Sequence, residues 1–123
     1  MSEPTEFRVE VLRTVDDVAV VQVSGELDLF VAPEFRECLT GALEEGTPRI
    51  VIDLAGVTFI DSSAIGVLIA GARRSAEVRR ELMIVCPAGS VARILEITGL
   101  HRVFAVYATR ADALNATAHG TAR

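Results

Sequence analysis

The sequence predicts an α/β domain, a mostly parallel mixed sheet of about five strands flanked by about four helices in the order β-β-α-β-α-β-α-β-α. Three observations lead there. Short apolar runs of strand length recur along the chain, separated by segments in which apolar residues repeat with the helical period. Only the first two runs are joined by a short turn; every later pair is separated by a helix-length segment, as parallel neighbours require. Glycine and proline fall at the ends of these segments, at Gly46, Pro48, Pro87, Gly89 and Gly99, where chain reversals belong.

Residues 1–6 and 119–123 are polar or small and are expected to be flexible ends around a single domain at 7–118. Residues 7–13 alternate apolar and charged side chains, the pattern of a strand with one wet face. Val15-Asp16-Asp17 supplies a turn, and residues 19–24 form a second strand, antiparallel to the first. A helix starts near Pro33 and runs to about Glu45, with Phe35, Cys38, Leu39, Ala42 and Leu43 on its apolar face. Gly46 and Pro48 stop it. The third strand is Arg49 to Asp53, followed by a loop containing Gly56. A second helix covers about Ser63 to Ala76. Leu82 to Cys86 is a fourth strand, and Ser90 caps a helix over 91–98 that Gly99 ends. Val103 to Tyr107 is a fifth strand, and a last helix begins at Arg110 or Ala111 and ends near Ala118.

Composition removes several classes of function. The net charge of −5 argues against nucleic acid and anionic membrane surfaces, which demand basic patches. The longest apolar run, Ala64 to Ala72, is far shorter than the ~20 residues of a membrane span. The N-terminus lacks the pattern of a signal peptide, so a cytoplasmic protein is expected. Cys38 and Cys86 have no partner spacing and read as reduced, buried thiols. All twelve basic residues are arginine. A P-loop and Schiff-base chemistry both need a lysine, and neither can be built. A phospho-aspartate receiver using Asp53 fails for the same reason. No serine sits in a Gly-x-Ser-x-Gly elbow, and His101 and His119 lack metal-ligand spacing. Arg73, Arg74, Arg79 and Arg80 read as a solvated cluster balanced by Glu77 and Glu81.

Two features remain for function. Asp61-Ser62-Ser63 places helix-capping residues at the start of the second helix, where free N–H groups and the helix dipole favour an anion. The residues alone fit a cap with one spare hydroxyl, or a phosphoacceptor. In the helix that follows, Ile65, Leu68, Ile69 and Ala72 form one apolar stripe and are assigned to the core. The opposite side carries Ser63, Gly66, Val67, Ala70 and Gly71. Such a small-residue face suits either close packing within the domain or a partner's close approach.

A resemblance chooses between these readings. Gly25-Glu26-Leu27-Asp28, Val51-Ile52-Asp53-Leu54, Phe59-Ile60-Asp61-Ser62-Ser63-Ala64-Ile65-Gly66 and Ile97-Thr98-Gly99-Leu100, in this order and at these separations, resemble the STAS-domain family. The likeness spans roughly residues 7 to 118 and points to the anti-sigma factor antagonists. It implies a non-catalytic regulator that binds an anti-sigma factor, releases a sigma factor to transcription, and takes part in stress-type partner switching. It implies that Ser62 is phosphorylated by an anti-sigma factor of the serine-kinase type and reset by a serine phosphatase. Asp28, Asp61, Ser63, Gly66, Val67 and Ala70 would then face the partner. No cofactor and no metal is expected, and the oligomeric state would be a monomer or weak homodimer. Val31 stands where many relatives have a small hydroxyl residue, and Ala64 where glycine is frequent. Two other roles fit a STAS domain: a scaffold subunit of a larger signalling complex, or a small-ligand sensor.

Overall fold

The computed structural model describes residues 6–14 and 17–118. The expected flexible ends other than Glu6, the turn residues Val15 and Asp16, and His119 lie outside the described residues. The elements are β1 (Arg8–Arg13), β2 (Val18–Leu27), α1 (Ala32–Glu44), β3 (Arg49–Ile60), α2 (Ser62–Glu77), β4 (Glu81–Val85), α3 (Ser90–Ile97), a 3₁₀ turn (Leu100–Arg102), β5 (Ala105–Tyr107) and α4 (Arg110–Ala118). The strands lie in the order β1-β2-β3-β4-β5, with β1 antiparallel to β2 and all other neighbours parallel. The five strands and four helices expected from the sequence are present in the expected order.

Alternation along the strands divides the side chains between two faces. Val21, Val23, Ile50, Ile52 and Ile84 form one side of the main core. Phe35, Leu39 and Leu43 of α1, Ala64, Val67 and Leu68 of α2, and Val91 and Leu95 of α3 cover them. On the other face Val18, Val20, Val51, Met83 and Val85 pack with Ala113 of α4. This second layer is thin, and a charged group ties it down. Arg110 donates from Nε to Asp53 Oδ2 at 2.9 Å and from Nη2 to Gln22 Oε1 at 2.6 Å. Asp53, only 6% exposed, also accepts the Ala55 N–H at 2.9 Å. A buried carboxylate is tolerated when it is paired and hydrogen-bonded in this way.

Several boundaries differ from the sequence reading. β3 does not end at Asp53; it continues through Gly56 to Ile60, so the expected loop is strand. Alanine and glycine at 55–56 read as a loop because they lack strand propensity. What requires glycine there is close approach: a Cβ on Gly56 would lie 2.8 Å from the Ser24 Cβ. The β2–β3 register slips between Gln22 and Ser24 and again between Gly25 and Glu26. Gly25 has φ +92°, which a glycine accommodates. The irregular pairing carries both strands three residues beyond Ser24 on one side and seven beyond Asp53 on the other. Ser90 is the first residue of α3 and not its cap; Gly89 holds the cap position without a side-chain hydrogen bond. Val103 lies outside β5 and is exposed, because the 3₁₀ turn takes up the chain before it. Cys38 is half-buried and Cys86 buried, and both thiols are free. Burial pushes both thiols above the usual cysteine range, with Glu34 adding to the effect at Cys38.

Candidate functional site

The extended ends of β2 and β3 bring two separate loops together. Leu27 pairs with Ile60, and the next residue, Asp61, donates its N–H to the Leu27 carbonyl at 3.1 Å. Asp61 has extended backbone and caps α2: its Oδ1 accepts the N–H groups of Ser63 at 2.9 Å and Ala64 at 3.2 Å. Its Oδ2 accepts the N–H of Leu29, across the gap, at 2.9 Å. One carboxylate therefore satisfies the first turn of a helix and clamps the loop that follows β2.

Asp28 organises that loop from within. Its Oδ1 accepts from Phe30 at 3.0 Å and Val31 at 3.3 Å, and its carbonyl accepts from Val31 and Ala32. The turn leads directly into α1, with Val31 at the cap position and Pro33 in the first turn. A side-chain cap is missing because valine stands there; the Asp28 carboxylate receives the valine's own N–H instead.

Ser62 is the first residue of α2 and is exposed. Its hydroxyl has no hydrogen-bond partner among the described residues. Asp61 fixes the backbone on one side of it, and the helix continues on the other. Ser63 is half-buried, and its N–H is held by the cap. Ala64 is fully buried, so the methyl group that replaces the frequent glycine fills core space.

The phase of α2 corrects the sequence reading. The buried positions are Ala64, Val67, Leu68, Gly71 and Ser75, at helical spacing. Val67 is 2% exposed and so is removed from the proposed partner face. Gly71 also belongs to the core: a Cβ there would lie 2.7 Å from Leu39 Cδ2, so its absence lets α1 and α2 approach. Ile69, assigned to the core from its place in the apolar stripe with Ile65, Leu68 and Ala72, is 39% exposed. The helix is apolar on nearly all sides, which leaves little contrast from which to read its phase. Ser62, Gly66, Ile69 and Ala70 are exposed and occur at spacings that share one side of a helix. A Cβ on Gly66 would meet nothing within 4 Å. Below this stripe a groove of about 200 Å³ between α1 and α2 is lined in part by Arg36, Thr40, Ala70 and Arg74.

Sequence reasoning missed the apolar residues around the cap. Leu29 is 62% and Phe30 87% exposed, in the loop that Asp61 clamps. Phe59, on β3 two residues before Asp61, is also exposed. The available signal was chemical: a tight turn after Asp28 that carries Leu-Phe in place of polar residues has no reason within the domain. Among the described residues no group of three His, Cys, Asp or Glu side chains is placed to hold a metal ion, and no helix is long and apolar enough to cross a membrane.

Residues 11–113 match the STAS domain family. The chain is 34% identical over 87 residues to the anti-sigma-B factor antagonist of Staphylococcus aureus strain NCTC 8325, covering 71% of this chain and 81% of that protein. Among solved structures, it is similar to an anti-sigma factor antagonist from Mycobacterium paratuberculosis, with a TM-score of 0.85, 31% identity, and coverage of 94% of this chain and 97% of that one. The fold is also that of the anti-sigma factor antagonist SpoIIAA in its unphosphorylated form, with a TM-score of 0.76 and 20% identity over 91% of this chain and 97% of that chain. With its five-stranded mixed sheet, its clamped Asp-Ser-Ser cap and a match over most of its length, the chain belongs to the STAS domain family.

Proposed function

We propose that this protein is an anti-sigma factor antagonist whose switch is Ser62. The observation that carries the reading is the exposed, unbonded Ser62 hydroxyl, held at the start of α2 by a neighbouring carboxylate that is itself fully engaged. In its unmodified form the protein binds an anti-sigma factor through Ser62, Gly66 and Ala70 on α2, with Leu29 and Phe30 on the adjoining loop. Asp28, Asp61 and Ser63 shape this surface through the hydrogen bonds they make. The sigma factor is thereby released.

The partner is an anti-sigma factor of the serine-kinase type. The Ser62 oxygen attacks the γ-phosphorus of ATP, the bond to the β–γ bridging oxygen breaks, ADP leaves, and the hydroxyl proton passes to a base on the kinase. The new group carries nearly two negative charges at neutral pH. The helix N-terminus stabilises it, while Asp61 repels it. Because Asp61 is anchored by three backbone N–H groups, repulsion is not relieved by moving the cap, and the charge projects into the partner surface. Binding fails without refolding of the domain. A serine phosphatase hydrolyses the ester and restores the hydroxyl. The protein itself is a substrate and not a catalyst, acting in the cytoplasm where sigma factors work.

Capture from lysate of the source cell, using wild type, Ser62→Ala and Ser62→Asp as baits, tests the reading. Wild type and Ser62→Ala retain a protein that hydrolyses ATP, and Ser62→Asp does not. The captured protein transfers phosphate to wild type alone, and peptide mapping locates it at Ser62. Label at Ser63 would move the phosphosite, and capture of the same STAS-domain proteins by all three baits would favour a scaffold role.

A further inference from the structure

β1 is an edge strand. Its inner side pairs with β2 from Arg8 opposite Ser24 to Arg13 opposite Ala19, and no strand pairs with its outer side among the described residues. The Thr14 N–H donates to the Val18 carbonyl at 2.9 Å, which marks these two as a hydrogen-bonded pair. In an antiparallel ladder such pairs alternate. Arg8, Glu10 and Leu12 therefore direct their backbone groups toward β2, and Phe7, Val9 and Val11 direct theirs outward. The side chains divide as well. Phe7, Val9 and Val11 pack at the margin of the main core, whereas Arg8 and Glu10 are exposed and have no ion pair among the described residues.

We propose that β1 pairs with β1 of a second copy of this chain, antiparallel, with Val9 opposite Val9. Only outward-facing residues can form the hydrogen-bonded pairs, and this register uses them: Val9 meets Val9, and Phe7 meets Val11 on each side. It also sets Arg8 opposite Glu10 twice, once on each side of the two-fold axis, and opposite charges facing each other across strands are stabilising. The neighbouring allowed register, with Glu10 opposite Glu10, places like charges together and Arg8 against Leu12. Edges are commonly protected by short length, proline or charged side chains, but charges of opposite sign at i and i+2 can pair across a two-fold axis instead of repelling a second copy. β5, three residues long, is protected by its short length. β1 carries an Arg-Val-Glu sequence that is complementary to itself. The surface is separate from the Ser62 site, since β2 lies between β1 and β3, and the inference does not depend on the phosphorylation reading.

Sedimentation equilibrium of the full chain tests the proposal over a concentration series reaching about 1 mM, the range of weak self-association. A reversible dimer is expected. Val9→Pro removes the central outward N–H but no bond to β2, and leaves a monomer with the wild-type circular dichroism spectrum. Arg8→Glu and Glu10→Arg each weaken the dimer by about tenfold or more, and the double reversal returns it to within a few fold of wild type. Amide exchange of Val9 and Val11 slows with protein concentration in the unaltered chain, while that of Ile97 does not. A monomer throughout the series, a dimer indifferent to Val9→Pro, a double reversal no better than the single ones, or exchange at Val9 and Val11 that ignores concentration would each overturn it.

Discussion

Two aspartates of one β-strand region do opposite kinds of work. Asp53 sits within β3, nearly sealed from water, and its partner is a charge: Arg110, brought from the start of α4. Asp61 sits just past the end of β3, half-buried, and its partners are three backbone N–H groups, two in the first turn of α2 and one in the loop after β2. The first carboxylate attaches a helix to a thin apolar layer. The second shapes a surface while leaving the adjacent serine hydroxyl exposed. Under the proposed function this division matters, because the carboxylate beside the phosphoacceptor would not be the one that holds the domain together.

The largest expected effect breaks the first of these. Arg110→Ala strands a buried carboxylate, and because Arg110 is itself partly exposed the loss falls below that for a fully buried pair, at about 2–3 kcal/mol. Urea unfolding reads it as a fall in the midpoint, with partner binding by the folded fraction unchanged. Asp61→Ala costs about 1–2 kcal/mol, the value of a lost helix cap, but it also frees the Leu29 loop. Its partner affinity therefore falls much more than its stability does. If both variants lost stability and binding in proportion, the division between the two carboxylates would be wrong.

The two glycines of α2 differ in the same way, one packed and one exposed. Gly71→Leu forces a side chain against Leu39 and costs about 1–3 kcal/mol. Gly66→Ala enters open space and raises stability by roughly 0.5–1 kcal/mol through helix propensity alone. The added methyl on Gly66 weakens partner binding if the α2 stripe is the contact surface. Thermal unfolding of the two variants, beside titration with the partner, separates the packed glycine from the exposed one.

How much of this was legible in the sequence differs between the two regions. The cap was readable because it is local: Asp61, Ser62 and Ser63 are adjacent, and the capping chemistry operates within one turn. The link from Asp61 to Leu29 was not, since it depends on β2 and β3 continuing in irregular register past Ser24 and Asp53. The ion pair of Asp53 with Arg110 spans 57 positions, and no periodicity announces it. The phase of α2 was misread because Val67, Ile69 and Ile65 are equally apolar; what decides which of them is buried is the contact of Gly71 with Leu39, a tertiary fact. Phe35, Leu39 and Leu43 on α1 were placed correctly because charged residues mark the opposite face of that helix.

A smaller effect concerns the thiols. Burial raises the pKa of Cys86, so less thiolate is present near neutral pH than for a free cysteine, and access is restricted as well. Alkylation at pH 8 is slow for Cys86, faster for half-buried Cys38, and equal for the two after unfolding in urea. Equal rates in the folded protein would show that the sheet face beneath α3 opens readily. The smallest expected change is in the stability of Ser62→Ala, within about 0.5 kcal/mol of wild type, as for an exposed side chain without partners.

Under the proposed function, charge at Ser62 breaks an interface and leaves the fold alone. The most direct measurement is partner affinity by titration calorimetry for the unmodified protein and for protein phosphorylated at Ser62, alongside the urea midpoint of each. Phosphorylation is expected to weaken binding about a hundredfold or more, comparable to losing a central interface contact, with midpoints that coincide. Equal affinities, or an affinity loss accompanied by a matching loss of stability, would contradict it.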